Sequence, residues 1–463
     1  MKVNKASWKQ LAYICVFIAL ISNTGSLGNK PCNWTQYQGD EAHTAHCETD
    51  IVPPLAILWK RTIEHVGISG SPVVSGDHLV LLLTLGTPTY DCYLICYRID
   101  KTGLQLVWRQ FLSHVYLGVT PAIAGNTVIC PSYNRLYCFD LETGHQLPEI
   151  SLESTPTTPT TIEGADLAAM AGYGTRDGPG YLFLVDISSG EVVWTKTNIG
   201  DSPGYFYNIV TAGDDKLFVY YSISGEEGLA AFNLQGELLW KRPGYLATKW
   251  VDDRAVITLY TGGILFAVGS PNTTLFALDG ESGDVLWSHE GNHLLDVLSS
   301  DGTHLYVYSK IDEAVLCLDV RTGEEIWKSP PLFPGDKELP MFFDKSLVST
   351  RNHVFICRHA VENVGIANIL ALDSSTGEVV WSSEEIENLR GPLIICHDIL
   401  VARISEGLIG FGELHDTGPP LPEPTLPAQP EPSFSVSTFA LLIIAGIFGG
   451  ILITYLLIRK RKP

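Results

Sequence analysis

The chain has 463 residues, 45% of them apolar, enough to bury a substantial core and too many for a disordered protein. Its 51 acidic residues outnumber 30 basic ones, giving a net charge of −21. A field of that sign repels phosphate backbones and anionic lipid headgroups, so nucleic acid is not expected as a partner.

Lys2, Lys5 and Lys9 precede an apolar run from Leu11 to Ile21, and small and polar residues follow up to Gly28. This order of charge, apolar core and exit predicts a secretory signal peptide over residues 1–28. Cys15 lies inside the apolar core without a lipobox before it. Residues 29–54 read as a polar leader, where an oxidising compartment lets Cys32 and Cys47 bridge. Asn33-Trp34-Thr35 and Asn272-Thr273-Thr274 are sequons, which makes Asn33 and Asn272 candidate N-glycosylation sites in an exported chain. His43, His46 and Cys47 are metal-ligand types without an evident fourth neighbour, so a polar, disulfide-linked leader is the reading adopted.

From residue 55 onward one pattern recurs. The stretch "ILALDSSTGEVVWSSE", residues 369–384, joins an apolar run to a second one through an aspartate and a Ser/Thr/Gly turn, which is a β-hairpin signature. Aspartate and tryptophan keep the same spacing in Asp100…Trp108, Asp186…Trp194, Asp279…Trp287, Asp319…Trp327 and Asp373…Trp381. Asp140 begins a copy that ends at Pro148, and Asn233 to Trp240 is one residue shorter. These two departures predict looser packing where they occur. Gly103, Gly144, Gly190, Gly236, Gly283, Gly323 and Gly377 punctuate the turns. Asp or Asn is expected to accept backbone N–H groups round each turn, glycine to take a positive φ, and the indole to fill the seam between neighbouring sheets. Cys138 and Cys317 share a repeat position with Ala231, Ala277 and Ala371, which predicts small buried thiols.

A second turn signal precedes each copy, as in Gly76-Asp77, Gly125-Asn126 and Gly213-Asp214, so the unit has four strands. Its period fits a propeller blade. "LAILWK", from Leu55, reads as a fourth strand lacking a third, and "GLIGFGE", ending at Glu413, as a third lacking a fourth. Joined, they close an all-β, eight-bladed β-propeller over residues 55–413 and remove an exposed sheet edge.

A proline-rich segment, 414–433, reads as a semi-extended stalk. A single transmembrane helix is predicted over 436–458, where Phe439 to Ile458 is uncharged. The basic tail 459–463 places the ectodomain outside the cell in type I orientation. Gly446 and Gly450 form a GxxxG pair, a face for helix-mediated dimerisation.

The repeat, seen in "FALDGESGDVLW" and "LALDSSTGEVVW", closely resembles the PQQ-like repeat of quinoprotein-type eight-bladed propellers, and "WTQYQGDEAHT" resembles the entry to the ring in exported members. The resemblance implies either an enzyme holding pyrroloquinoline quinone over calcium or a cofactor-free propeller that presents loops to other proteins. The enzymes use a vicinal disulfide, and no adjacent cysteine pair occurs; Cys92 and Cys96 stand four apart. Asp214-Asp215, Asp252-Asp253 and His397-Asp398 fall at repeated turn positions and read as solvated turn residues. The expectation is a membrane-anchored extracellular scaffold for protein partners at the cell surface, without catalytic residues, bound metal or cofactor. Leu85 to Tyr90 and Arg358 to Asn368 are its expected presenting loops. The alternatives are a membrane-tethered PQQ-dependent dehydrogenase and a cell-envelope glycan-binding or structural protein.

Overall fold

Turn chemistry divides the described residues into eight sheets with four strand positions each in antiparallel order, beside two short two-stranded ribbons. The computed structural model describes residues 33–63, 67–84, 91–115, 118–173, 179–244, 258–269, 274–290, 293–333, 345–358, 366–405 and 407–413. The predicted signal peptide, stalk, membrane helix and tail lie outside the described residues, as do Cys32, Asn272, Asp252, Asp253 and most of both presenting loops. Among the described residues no helix is long and apolar enough to cross a membrane.

Blades 1 to 7 span residues 67–112, 122–151, 155–196, 205–243, 259–289, 293–328 and 345–382. Blade 8 takes three strands from 389–412, and its fourth is Ala56–Thr62, antiparallel to Gly407–Gly412 with Lys60 opposite Ile409. The N-terminal side of the chain thus completes the last sheet. First strands of successive blades touch all the way round, blade 8 meeting blade 1, so they line a central hub. Apolar side chains collect between neighbouring sheets: Leu259, Phe266, Leu305 and Leu316 join blades 5 and 6, and Tyr306, Cys317, Val354 and Ile356 join blades 6 and 7.

Most seams have a fastener on the rim. The turn before the fourth strand is built on its aspartate: Asp373 Oδ1 accepts N–H bonds from Ser375 at 2.9 Å and Thr376 at 3.0 Å, and Asp319 and Asp279 repeat the arrangement. Asp100, Asp140 and Asp186 accept in the same way from Thr102, Thr143 and Ser189. Hydroxyls of Thr143 and Ser375, and backbone N–H groups of Ser189 and Thr322, hold Asp140, Asp373, Asp186 and Asp319 below the usual carboxylate range.

The indole N–H then crosses to the next blade, where it donates to a carbonyl just after that blade's own aspartate. Trp108 bonds Leu141 O at 2.7 Å, Trp194 bonds Leu234 O at 2.8 Å, Trp240 bonds Gly280 O at 3.0 Å, Trp287 bonds Val320 O at 3.0 Å and Trp327 bonds Ser374 O at 2.9 Å. Trp59 donates to Asp100 O at 3.1 Å across the closing seam, and Trp381 packs edge-on against Phe411. The turn glycine is the platform beneath the ring. A Cβ on Gly377, with φ +73°, would stand 2.4 Å from Trp327 Cε3, and one on Gly323 would stand 2.6 Å from Trp287 Cδ2.

The two departures behave differently. The short turn at Asn233 leaves its seams intact, because Asn233 Oδ1 accepts from Gln235 N and Glu237 N, and Trp194 and Trp240 both reach their carbonyls. Pro148 supplies no indole to blade 3, and Gly190, with φ +73°, has nothing within 4 Å of where its Cβ would be.

Opposite the tryptophans of blades 4 to 7 stands a small residue, Ala231 pairing Trp240, Ala277 pairing Trp287, Cys317 pairing Trp327 and Ala371 pairing Trp381, whereas Leu184 pairs Trp194. The register shifts at this point in each pair, a β-bulge that leaves the residue before the tryptophan outside the ladder. Leu239, Leu286, Ile326 and Val380 are accordingly exposed despite their apolar character.

Candidate functional site at the hub

First strands carry an unusual share of buried hydroxyls, and these link blade to blade. Ser71 N donates to Thr120 Oγ1 at 2.9 Å, and Thr120 N donates to Thr158 Oγ1 at 3.0 Å. Thr160 Oγ1 donates to Val210 O, and Thr211 Oγ1 to Thr258 O at 2.9 Å. Ser299 and Ser349 hydroxyls lie 2.6 Å apart, and Leu393 N donates to Ser346 Oγ at 2.8 Å. Arg403 Nη1 reaches Gly70 O at 3.3 Å, joining blade 8 to blade 1. Because each acceptor is withdrawn from water, losing a donor leaves a buried polar atom unmet.

Across one mouth of this belt lies the leader, at the end where first and second strands join. Trp34 pairs in both directions with Val74 of blade 1, and Thr35 O accepts from Ile123 N of blade 2 at 2.8 Å. The Gln36 amide donates to Thr161 O at 3.0 Å and accepts from Thr161 N at 2.8 Å in blade 3. Carbonyls of Glu41, Ala42, Thr44 and Ala45 then accept from Ala212, Tyr260, Ser300 and Ser349, in blades 4, 5, 6 and 7. His46–Cys47 finally runs parallel to the first strand of blade 7. One short segment therefore visits seven blades in order.

His43, His46 and Cys47 part company here. The His43 ring is buried, with Nδ1 3.2 Å from Thr258 O and 3.0 Å from Thr211 Oγ1; the carbonyl can only accept, which assigns the proton to Nδ1. Its Nε2 is buried without a hydrogen-bond partner among the described residues, and burial lowers the pKa to about 4. His46 Nδ1 meets Ser349 Oγ at 2.8 Å, with Glu48 3.7 Å from Nε2. That triad of residue types has no route to a substrate, since Ser349 is fully buried and shares its hydroxyl with Ser299. Cys47 is disulfide-bonded, while Cys32, the expected partner, lies outside the described residues.

The other described cysteines are buried thiols. Burial pushes Cys96, Cys138, Cys317 and Cys396 up to about 12, so none of them supplies a thiolate at neutral pH. Cys92 and Cys96 lie on one strand, Cys92–Asp100, and both are buried. Asp214, Asp215 and His397 sit in tight turns with positive φ, as their repeat positions implied. A polar cleft of about 450 Å³ lies on the rim between blades 3 and 4, lined by Lys196, Asn198, Asp201 and Glu237.

A quinone held over calcium requires converging oxygen donors. Among the described residues no group of three or more His, Cys, Asp or Glu side chains is placed to hold a metal, and the belt hydroxyls already serve backbone groups. Gln36 and the belt escaped sequence reasoning because they do not repeat with the hairpin. The one sequence signal is the Ser-Pro or Thr-Pro start of the first strands, Ser71-Pro72 and Thr120-Pro121, whose hydroxyl residues join the belt.

The family model described as "Outer membrane protein assembly factor BamB" matches residues 56–202 and 178–411. No curated protein shows significant sequence similarity to the chain. Among solved structures, BamB from Moraxella catarrhalis is 16% identical, with 79% of this chain and 99% of that one covered and a TM-score of 0.55. A europium-containing methanol dehydrogenase is 14% identical, covering 85% and 92%, with a TM-score of 0.59. Quinohemoprotein alcohol dehydrogenase from Comamonas testosteroni is 13% identical, covering 88% and 83%, with a TM-score of 0.61. At such identities the likeness is one of fold.

Proposed function

The chain belongs to the PQQ-like propeller family of that model, and from this premise we propose that it is a membrane-anchored extracellular scaffold that binds protein partners without catalysing a reaction. The observation that carries the reading is the use made of hub polar groups. Hydroxyls and leader amides that would hold a ligand in an enzyme are spent joining blades to one another and to the leader. The result is a stiff ring whose mouth beside the first turns is closed by its own chain.

Partners meet the other mouth, where second and third strands are joined. The expected presenting loops, Leu85 to Tyr90 and Arg358 to Asn368, fall in sequence between such strands of blades 1 and 7. A membrane helix over 436–458 tethers the ring, and a basic tail remains in the cytoplasm. Helix pairing through Gly446 and Gly450 would present two rings together.

The test is turnover. Full-length protein mixed with pyrroloquinoline quinone, calcium and an artificial electron acceptor should reduce no dye with alcohols or sugars. Substrate-dependent reduction would overturn the scaffold reading in favour of a tethered dehydrogenase. Retention on purified cell envelope that free oligosaccharide competes away would favour the glycan-binding alternative.

A further inference from the structure

We propose that Asn33 carries an N-linked glycan, set at the edge of the mouth that the leader closes; the inference rests on the exported reading above. Residues around Asn33 are buried or half-buried, yet its own side chain is exposed. Trp34 fixes the position, being 2% exposed and paired with Val74 by bonds of 2.9 and 2.7 Å. Gly76 N donates to Asn33 Oδ1 at 3.1 Å. An N–H requires an acceptor, so this bond identifies the oxygen and leaves Nδ2 as the outward atom. Nδ2 is the atom a glycan occupies. Thr35 completes the sequon, and its backbone N and O are engaged by Gly39 and Ile123 without use of the sequon hydroxyl.

The chemistry needs one co-reactant, a lipid-diphosphate-linked oligosaccharide of the secretory pathway. A bond forms between Asn33 Nδ2 and the anomeric carbon of the first sugar as that carbon's bond to the diphosphate oxygen breaks. Nδ2 gives up one proton, and the lipid diphosphate leaves. The modified amide keeps its oxygen, so the bond from Gly76 survives, and the folded leader accommodates the glycan without rearrangement. A glycan here shields the closed mouth and directs protein partners to the opposite one.

Full-length protein from its native membranes, digested and read by mass spectrometry before and after peptide N-glycosidase, should show Asn33 glycosylated and converted to aspartate on release. Thr35→Ala should lose one glycan's mass, and Thr35→Ser should keep it. Both should melt like the parent, since neither touches the bond between Asn33 and Gly76. Unmodified Asn33 in a chain whose Cys47 is disulfide-bonded would overturn the site and leave export standing. Unmodified Asn33 with Cys47 reduced would overturn both.

Discussion

Rim and hub hold the same eight blades by different means. On the rim, most seams are fastened by a neighbour, an indole donating to a carbonyl, commonly over a glycine, and the unit repeats. In the hub one segment, residues 34–47, is bonded to seven blades. A rim fastener can be lost singly, as the seam at Pro148 shows. The leader has no spare copy, so damage to it is felt round the whole ring.

The largest effect should follow removal of residues 33–47, which discards the hub contacts and keeps every rim indole. With each buried hydrogen bond worth about 1 kcal/mol net, the lost set approaches a native stability of about 5–15 kcal/mol. Chemical denaturation should find little folded monomer; an unchanged midpoint would mean the rim suffices. Next comes Trp327→Ala, expected to cost about 3–5 kcal/mol, against less than about 1 kcal/mol for Pro148→Ala. Equal losses at the two positions would remove the distinction between seams.

Mild acid probes the hub before the rim aspartates titrate. The unfolded chain protonates His43 near 6.5, whereas the folded hub refuses the proton until about 4. Stability should therefore hold above pH 6.5 and fall as pH drops through this window, by about 3 kcal/mol. His46, also lowered by burial, adds a slope of the same sign. His43→Gln should flatten most of the dependence in a pH series of melting curves. The smallest contrast is between glycines. Gly190→Ala should cost about 1 kcal/mol for its positive φ alone, and Gly377→Ala about 1–3 kcal/mol more, because the added methyl meets Trp327. Matching melting temperatures for the two would deny the platform role.

This contrast also explains what could be read from the amino acids. Periodicity makes the rim legible: Asp373, Gly377 and Trp381 recur with their counterparts, and the strand pairing of Ala56–Thr62 with Gly407–Gly412 follows from counting half-blades. The shortened turn at Asn233 misled, because an amide oxygen caps backbone N–H groups as a carboxylate does. Hub contacts were invisible for a different reason. Gln36 finds Thr161, and His43 finds Thr211 and Thr258, across long separations with no period to announce them.

The order in which the leader visits the blades has a consequence during synthesis. His46 leaves the ribosome early, but its place beside Ser349 is separated from it by 303 residues. The leader must wait, unsatisfied, until blade 7 has emerged, and Ala56–Thr62 must wait longer for its partner in blade 8. Contacts of such long range slow folding and prolong exposure of sticky surface. The described segments made first are thus among the last to find their places, and a nascent chain stalled before blade 7 would hold an unsealed stack of sheets awaiting a clasp.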